Sequence, residues 1–349
     1  MIEDQLRETF ARHELLAPPA APLRDAIDRV VVRRRRRRFA NRVAGAALAV
    51  AAAVSAPFAL SNAVDAPRID TSILPGGAPA VTSPLTLLVL GVDEDGGHSY
   101  RADTVLIVHV PVDSTTAYLV SLPRDLLVEI PDKGRARLSE SFYFGSVRRG
   151  GSPDLAAGAA LTARTVTAAT GLPVDGTVTV EFEGLRAATD ALGGVDLCLD
   201  RAVTSRHTGR VFPAGCQRLD GGAALDLLRQ RYGLPYGAYD RDANGRSFVR
   251  GLLAKKEVLA DPVRLTRLAR AVSSGVTVAG GDLTTAQLLG VATGIEAVTS
   301  LDIGSVYRGV EVAGVQYERL DEARSAPVFA AIRENRLAAW VAANPRAVR

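Results

Sequence analysis

Downstream of residue 84 the chain alternates short apolar runs with longer segments of helical spacing. TLLVLG (86–91), TVLIVHV (104–110) and AYLVS (117–121) are rich in Val, Leu and Ile and are bounded by turn residues. Short apolar runs of this kind predict strands buried on both faces. Pro153 to Thr170, Glu183 to Leu192, Ala223 to Leu228 and Arg241 to Leu259 predict helices. A T-x-x-Q sequence at Thr284 to Gln287 reads as a capping box ahead of AQLLGVA, and a final helix is expected from Ala326 to Ala343. This alternation predicts an α/β fold, a sheet covered by helices on both faces. No repeat interrupts it, so residues 84–349 are expected to form one domain.

The pattern upstream is different. Val43 to Val64 contains no charged residue and is long enough to cross a hydrocarbon core of about 30 Å as a helix. Six consecutive arginines, Arg33 to Arg38, precede it. The positive-inside rule keeps such a cluster in the cytoplasm, so residues 1–42 are expected to be a cytoplasmic basic tail, 43–64 a transmembrane helix, and everything after about 65 exported. About 40 residues stand in front of the apolar run, which favours an anchor over a cleaved signal peptide. Within the tail, Leu6, Phe10 and Leu15 have helical spacing before the break APPAAP (17–22); a short amphipathic helix and a disordered tail both fit. Residues 65–83, rich in Pro, Gly and Ala, read as a linker to the domain.

Charge follows the same division. Residues 1–42 hold eleven Arg against six Asp or Glu, which leaves 31 basic and 32 acidic residues for the remainder. The basic character therefore belongs to the tail, and the domain lacks the excess expected of a nucleic-acid binder. Cys198 and Cys216 are the only cysteines, 18 positions apart on either side of a turn-rich segment. In an exported domain they are expected to form a disulfide, worth roughly 3 kcal/mol for a loop of this size; two isolated buried thiols are the alternative.

The common catalytic signatures are absent: no H-E-x-x-H, G-x-S-x-G, Walker A or G-x-G-x-x-G occurs, and the four histidines have no metal-ligand spacing. His109, inside a strand pattern, reads as a satisfied core residue. What remains is a set of arginines and aspartates at the ends of the apolar runs. Asp93 follows TLLVLG, Arg101 and Asp103 open the next strand, and Arg124 and Asp125 follow AYLVS, while Arg229, Arg231 and Arg241 come later. Strand ends are where open α/β sheets build ligand crevices, and Arg with Asp is the chemistry that holds a polyphosphate and its divalent ion. Singly, each residue fits an ordinary surface ion pair equally well.

Taken together, LLVLGVD (87–93), RADTVLIVHV (101–110), SLPRD (121–125) with LVEIP (127–131), the stretch 171–199, LDGGAALDLLRQRYG (219–233) and DRDANGRSFVR (240–250) resemble the LytR-CpsA-Psr family. The resemblance implies a central mixed sheet between helical layers, with an apolar pocket for a polyprenyl chain. It implies a phosphotransferase that moves a glycopolymer from a polyprenyl-pyrophosphate carrier to peptidoglycan. By the same resemblance Asp93 and Asp103 match metal-site carboxylates for Mg²⁺ or Mn²⁺. Arg101, Arg124, Arg229, Arg231 and Arg241 match the pyrophosphate-binding arginines, and Arg101, Asp103 and Arg124 the catalytic set. The chain departs from the family at Ala238, where an Asp is usual, and at Asn244, Gly245 and Arg246, where Arg-Gln-Gln is usual. Asp240 and Asp242 become the candidate bases. A non-catalytic polyprenyl-phosphate-binding scaffold and a pyrophosphatase that uses water remain open readings of the same set.

The arginine run also sets a topology. A phosphatase reporter fused after Arg349 is expected to be active only outside the cytoplasm, and activity confined to the cytoplasm would reverse the assignment.

Overall fold

The computed structural model describes residues 83–348 apart from 96–98, 113, 149–151, 260 and 282–284. The expected transmembrane helix, most of the linker and the capping residue Thr284 lie outside the described residues. Among the described residues no helix is long and apolar enough to cross a membrane.

The three apolar runs form the centre of one sheet. Strands β1 (Leu85–Asp95), β2 (Ser99–Val110) and β3 (Thr116–Leu122) pair antiparallel in sequence order. β6 (Gly176–Glu181) adds parallel to β1, and β12 (Ala297–Leu301) adds parallel to β3. β11 (Val276–Ala279) closes the far edge antiparallel to β6, giving the order β11-β6-β1-β2-β3-β12. The sheet is mixed, as the family resemblance implies. β1, β3, β6 and β12 all run in one direction, so their carboxyl ends share one edge with the start of β2.

Side chains divide between the faces with the two-residue period of strands. Leu88, Leu90, Val105, Ile107, Tyr118 and Val120 face one core with α1 (Leu138–Ser146), α2 (Leu155–Thr170) and α9 (Glu322–Arg333). Leu87, Leu106, Val108 and Leu119 face the other. That second face is roofed by α3 (Phe182–Ala191), α4 (Gly221–Leu228), α5 (Ala238–Leu253), α7 (Pro262–Val272) and α8 (Thr285–Gly294), the short α6 (Lys256–Leu259) joining α5 to α7. α3 lies so close to the turn before β11 that a Cβ on Gly184 would stand 2.1 Å from the Gly275 carbonyl oxygen. No larger residue fits there.

Small antiparallel ribbons decorate this frame: β4 (Leu127–Ile130) with β5 (Gly134–Arg137), β7 (Val195–Leu199) with β10 (Gly215–Leu219), β8 (Val203–Thr204) with β9 (Val211–Phe212), and β13 (Tyr307–Val312) with β14 (Val315–Leu320). Cys198 and Cys216 are register partners on β7 and β10 and form the expected disulfide.

Two helix expectations need correction. The stretch 326–343 is two helices, α9 and α10 (Leu337–Ala343). Asn335 adopts φ +53° between them, and the Arg336 amide turns back to the Ala331 carbonyl, ending the first helix. Likewise 241–259 divides into α5 and α6, and α5 starts earlier, at Ala238.

His109 is buried at 1% exposure, as expected, but it is only half satisfied. Its Nδ1 lies 3.1 Å from Thr86 Oγ1, while Nε2 has no hydrogen-bond partner among the described residues. Burial holds its pKa down at about 4 against the ordinary 6.5. The unfolded chain therefore takes up a proton between pH 6.5 and 4 that the folded chain refuses. This contribution to stability is present above pH 6.5 and lost as the pH falls to 4, roughly 3 kcal/mol in all. Urea denaturation across that window should show the protein losing about this much relative to His109→Gln; parallel pH profiles would contradict it.

Candidate active site

The arginine and aspartate set converges on the shared carboxyl edge of the sheet. Asp93 is not beyond its strand, as the apolar run suggests: β1 continues to Asp95, and Asp93 pairs with Arg101 inside the β1–β2 hairpin. The register slips here. Gly91 pairs with Thr104 but Val92 pairs with Ala102, which leaves Asp103 as the extra residue of a β-bulge. Ala102 consequently joins the first core beside Val105, while Asp103 and Thr104 both line the opposite side. Gly91 admits this geometry, since a Cβ there would approach the Thr104 Cβ to 3.1 Å.

Asp103 is the meeting point of two guanidiniums. Arg124 Nη1, from the loop after β3, donates to Oδ1, and Arg231 Nη2 donates to Oδ2 at 2.9 Å. Asp125 holds the loop from behind, 3.6 Å from Arg124 Nε and 3.0 Å from Arg137 Nε. Arg241, 4% exposed in the first turn of α5, has its Nη2 3.3 Å from Asp242 Oδ1. Its Nε and Nη1 have no hydrogen-bond partner among the described residues. Burial holds Arg231 below the usual guanidinium value; Asp103 works against that shift, and the neighbouring charges of Arg124 and Arg241 add to it. Two guanidiniums thus share one carboxylate while the charge of a third acts on them, an arrangement an anion would relieve.

The segment Arg229-Gln230-Arg231 is positioned by its middle residue. Gln230 is fully buried; its Nε2 donates to Ser205 Oγ at 2.9 Å and to the Asp226 carbonyl at 3.0 Å, and its Oε1 accepts from the Arg206 amide at 3.0 Å. Ser205 and Thr208 both donate to the Asp226 carboxylate. With the glutamine anchored inward, the flanking arginines both line the cavity on the other side. Arg229 lies over the Phe182 ring, 4.8 Å from its centroid. Reading charged residues alone passes over Gln230; its signal was a polar residue between two exposed cations.

Beneath these arginines the second face of the sheet and its helical roof enclose a cavity of about 600 Å³. Val89, Leu106 and Val178 form its floor, and Leu185, Phe248, Leu252 and Leu268 form its roof. Asp93, Asp103, Arg229, Arg231 and Arg241 line its polar part. Gly245 stands opposite Thr104, 3.9 Å from its methyl group to an added Cβ, so no side chain from α5 fills this point.

The sequence-derived residues therefore fall into two groups. Asp93, Asp103, Arg229, Arg231 and Arg241 come together at one cavity, with Arg124 bound to Asp103 and Arg101 paired with Asp93. Asp240 and Asp242 do not line that cavity, although Asp242 pairs with Arg241. They line separate cavities on the other side of α5, where burial, opposed by Arg241, pushes the Asp242 carboxyl up to about 6. Among the described residues no group of three or more His, Cys, Asp or Glu could hold a metal ion. Asp93 and Asp103 alone suit Mg²⁺ or Mn²⁺ only in company with phosphate oxygens and water.

Fold and site define an α/β protein whose cation cluster stands over an apolar cavity. The model of the LytR_cpsA_psr family matches residues 52–330, and the chain belongs to that family. It is 30% identical over 281 residues to the cell wall biosynthesis protein LcpA of Corynebacterium glutamicum, covering 70% of this chain and 52% of that one, so it spans about half the length of this relative. It is 26% identical over 255 residues to the polyisoprenyl-teichoic acid–peptidoglycan teichoic acid transferase TagU of Bacillus licheniformis, covering 72% and 78% of the two chains. The crystal structure of B. subtilis TagU matches with a TM-score of 0.56 at 25% identity, over 72% of this chain and 96% of that one.

The anchoring role of Gln230 separates it from its neighbours. Gln230→Leu strands the Arg206 amide and the Ser205–Asp226 pair in a buried place and should lower unfolding free energy by about 1–3 kcal/mol. Arg231→Ala removes a half-exposed pair and should cost no more than about 1 kcal/mol. Equal losses by chemical denaturation would remove the distinction.

Proposed function

We propose that this chain is a phosphotransferase that moves a glycopolymer from a polyprenyl-pyrophosphate carrier onto peptidoglycan. The observation that carries the reading is the pair of buried nitrogens of Arg241 that have no hydrogen-bond partner among the described residues, placed with Arg231 and Asp103 at an apolar cavity. A pyrophosphate would take these donors, and the attached hydrocarbon would fill the cavity, each buried CH₂ contributing about 0.8 kcal/mol. The activity for which TagU of Bacillus licheniformis is named, teichoic acid transfer between a polyisoprenyl carrier and peptidoglycan, supports the same class of reaction. This reading includes the membrane anchor and an extracytoplasmic domain, which would place the cavity within reach of a lipid-borne donor.

The acceptor hydroxyl oxygen bonds to the phosphorus nearer the glycopolymer. The bond from that phosphorus to the bridging oxygen breaks, and polyprenyl phosphate departs with the electron pair. The hydroxyl proton passes to a carboxylate, for which Asp240 and Asp242 stand beside Arg241 on α5. Charge crowding on the phosphate oxygens limits such a displacement, and preplaced guanidiniums counter it. Arg124 and Arg231, released from Asp103, would grip the phosphates with planar forks that lysine cannot reproduce. Asp93 and Asp103 would then be free to hold a divalent ion, whose charge would offset that of the phosphates.

Arg124→Ala in the full-length protein should lower kcat by about 10²–10³-fold with an unchanged melting temperature, and Arg124→Lys should recover little. Full turnover in either variant removes Arg124 from the reaction. Calorimetry tests the ion separately: Mg²⁺ should bind weakly alone and far more tightly with a polyprenyl pyrophosphate analogue, and equal affinities would leave the two aspartates a structural role.

A further inference from the structure

The apolar cavity is not the only concavity beside the arginine cluster. On the opposite face of α5 a cavity of about 270 Å³ is lined by Tyr236, Tyr239, Asp240, Asp242, Arg246 and Asp302, and a second of about 540 Å³ shares Asp240, Ala243 and Arg246 with it. We infer that these adjoining cavities form a cleft for the saccharide that receives the phosphoryl group.

α5 divides donor from acceptor by its own periodicity. Arg241, Gly245, Phe248 and Leu252 face the apolar cavity, while Asp240, Ala243 and Arg246 face the polar cleft. The cleft reaches the cation cluster at two points. Arg241 lies between Asp240 and Asp242 in the chain, and Pro123, which lines the smaller cavity, precedes Arg124. Asp302 follows β12, so the cleft lies at the same carboxyl edge of the sheet as the cluster.

Its chemistry differs from that of the cluster. Three carboxylates face one arginine in the smaller cavity, a lining that disfavours phosphate, while the larger cavity adds Asp200, Arg201 and Arg250. Acidic acceptors, a guanidinium donor and phenols together match a ligand in which every hydroxyl both donates and accepts. Asp242 and Arg246 are each 6% exposed, so the wall is built and not a chance meeting of surface side chains. At the rim, Tyr236 is 68% exposed, with its ring free to stack, and its amide donates to Asp240 Oδ2 at 2.7 Å. Two cavities in a row suit a polymer acceptor more than a small molecule. This placement also accounts for the two candidate bases, which the apolar cavity leaves aside and which an incoming hydroxyl would meet.

The inference rests on the transferase reading, and its test keeps the two apart. In the full-length protein in detergent, Tyr236→Ala, Asp302→Asn and the cavity-filling Ala243→Phe are assayed with a soluble peptidoglycan fragment as acceptor. Each should raise the acceptor KM about tenfold or more, the scale of one lost hydrogen bond or stacking contact, while binding of a polyprenyl pyrophosphate analogue changes less than twofold. Unaltered acceptor KM in all three variants, with analogue binding intact, overturns the cleft and leaves the transferase reading standing. Failure of the wild-type protein to bind the analogue overturns the transferase reading. The cleft is then judged by calorimetry of the peptidoglycan fragment alone: binding weakened in the three variants upholds it, and absent or unaltered binding overturns it.

Discussion

The arrangement of this site depends on one extra residue in a strand. Asp103 is inserted between two register pairs of the β1–β2 ladder, and the insertion reverses which side chains upstream of it face the helical roof. Were the same residues paired in regular register, Ala102 would lie on the roof side with Leu106, and Arg101 would point into the core beside Val105. With the insertion, Ala102 is buried at 0% exposure and Asp103 reaches both Arg124 and Arg231. Arginines supplied by a loop after β3 and by the turn after α4 thus share a single carboxylate.

That meeting has an electrostatic cost which the rest of the domain supports. Burial, with the neighbouring charges of Arg124 and Arg241, lowers the affinity of Arg231 for a proton, and Arg241 carries two buried donors without hydrogen-bond partners among the described residues. Folded proteins keep few such groups, and they concentrate where a ligand completes them. Here the supports are behind the cluster: Asp125 between Arg124 and Arg137, and Gln230 in its polar nest. Each holds a cation in place without neutralising the donors that face the cavity.

α5 turns this cluster into a boundary. One side of the helix is apolar and closes the larger cavity; the other is charged and lines the cleft. The charged side includes Arg246, and the apolar side includes Gly245, where the absence of a side chain leaves space against Thr104.

Much of this architecture is legible in the chain. The strands β1, β2 and β3 appear as unbroken apolar runs because both faces are covered, and α2 follows from its apolar spacing after Asp154, whose side chain caps it. The arginines and aspartates stand out because they punctuate those runs, and the two cysteines pair as their isolation suggests. Other features required the folded chain. The bulge at Asp103 is invisible locally, since RADTV reads as an ordinary strand start and only pairing with β1 reveals the additional residue. Strands β11 and β12 are short, and their places at opposite edges are set by contacts with β6 and β3, far away in sequence. Asp240 and Asp242 flank Arg241 in the chain and yet serve other cavities, because a helix turns successive side chains by about 100° and the sheet decides which side each one meets. Residue types and local spacing determined the elements and the chemistry available; long-range pairing and packing decided which charges meet and which are kept apart.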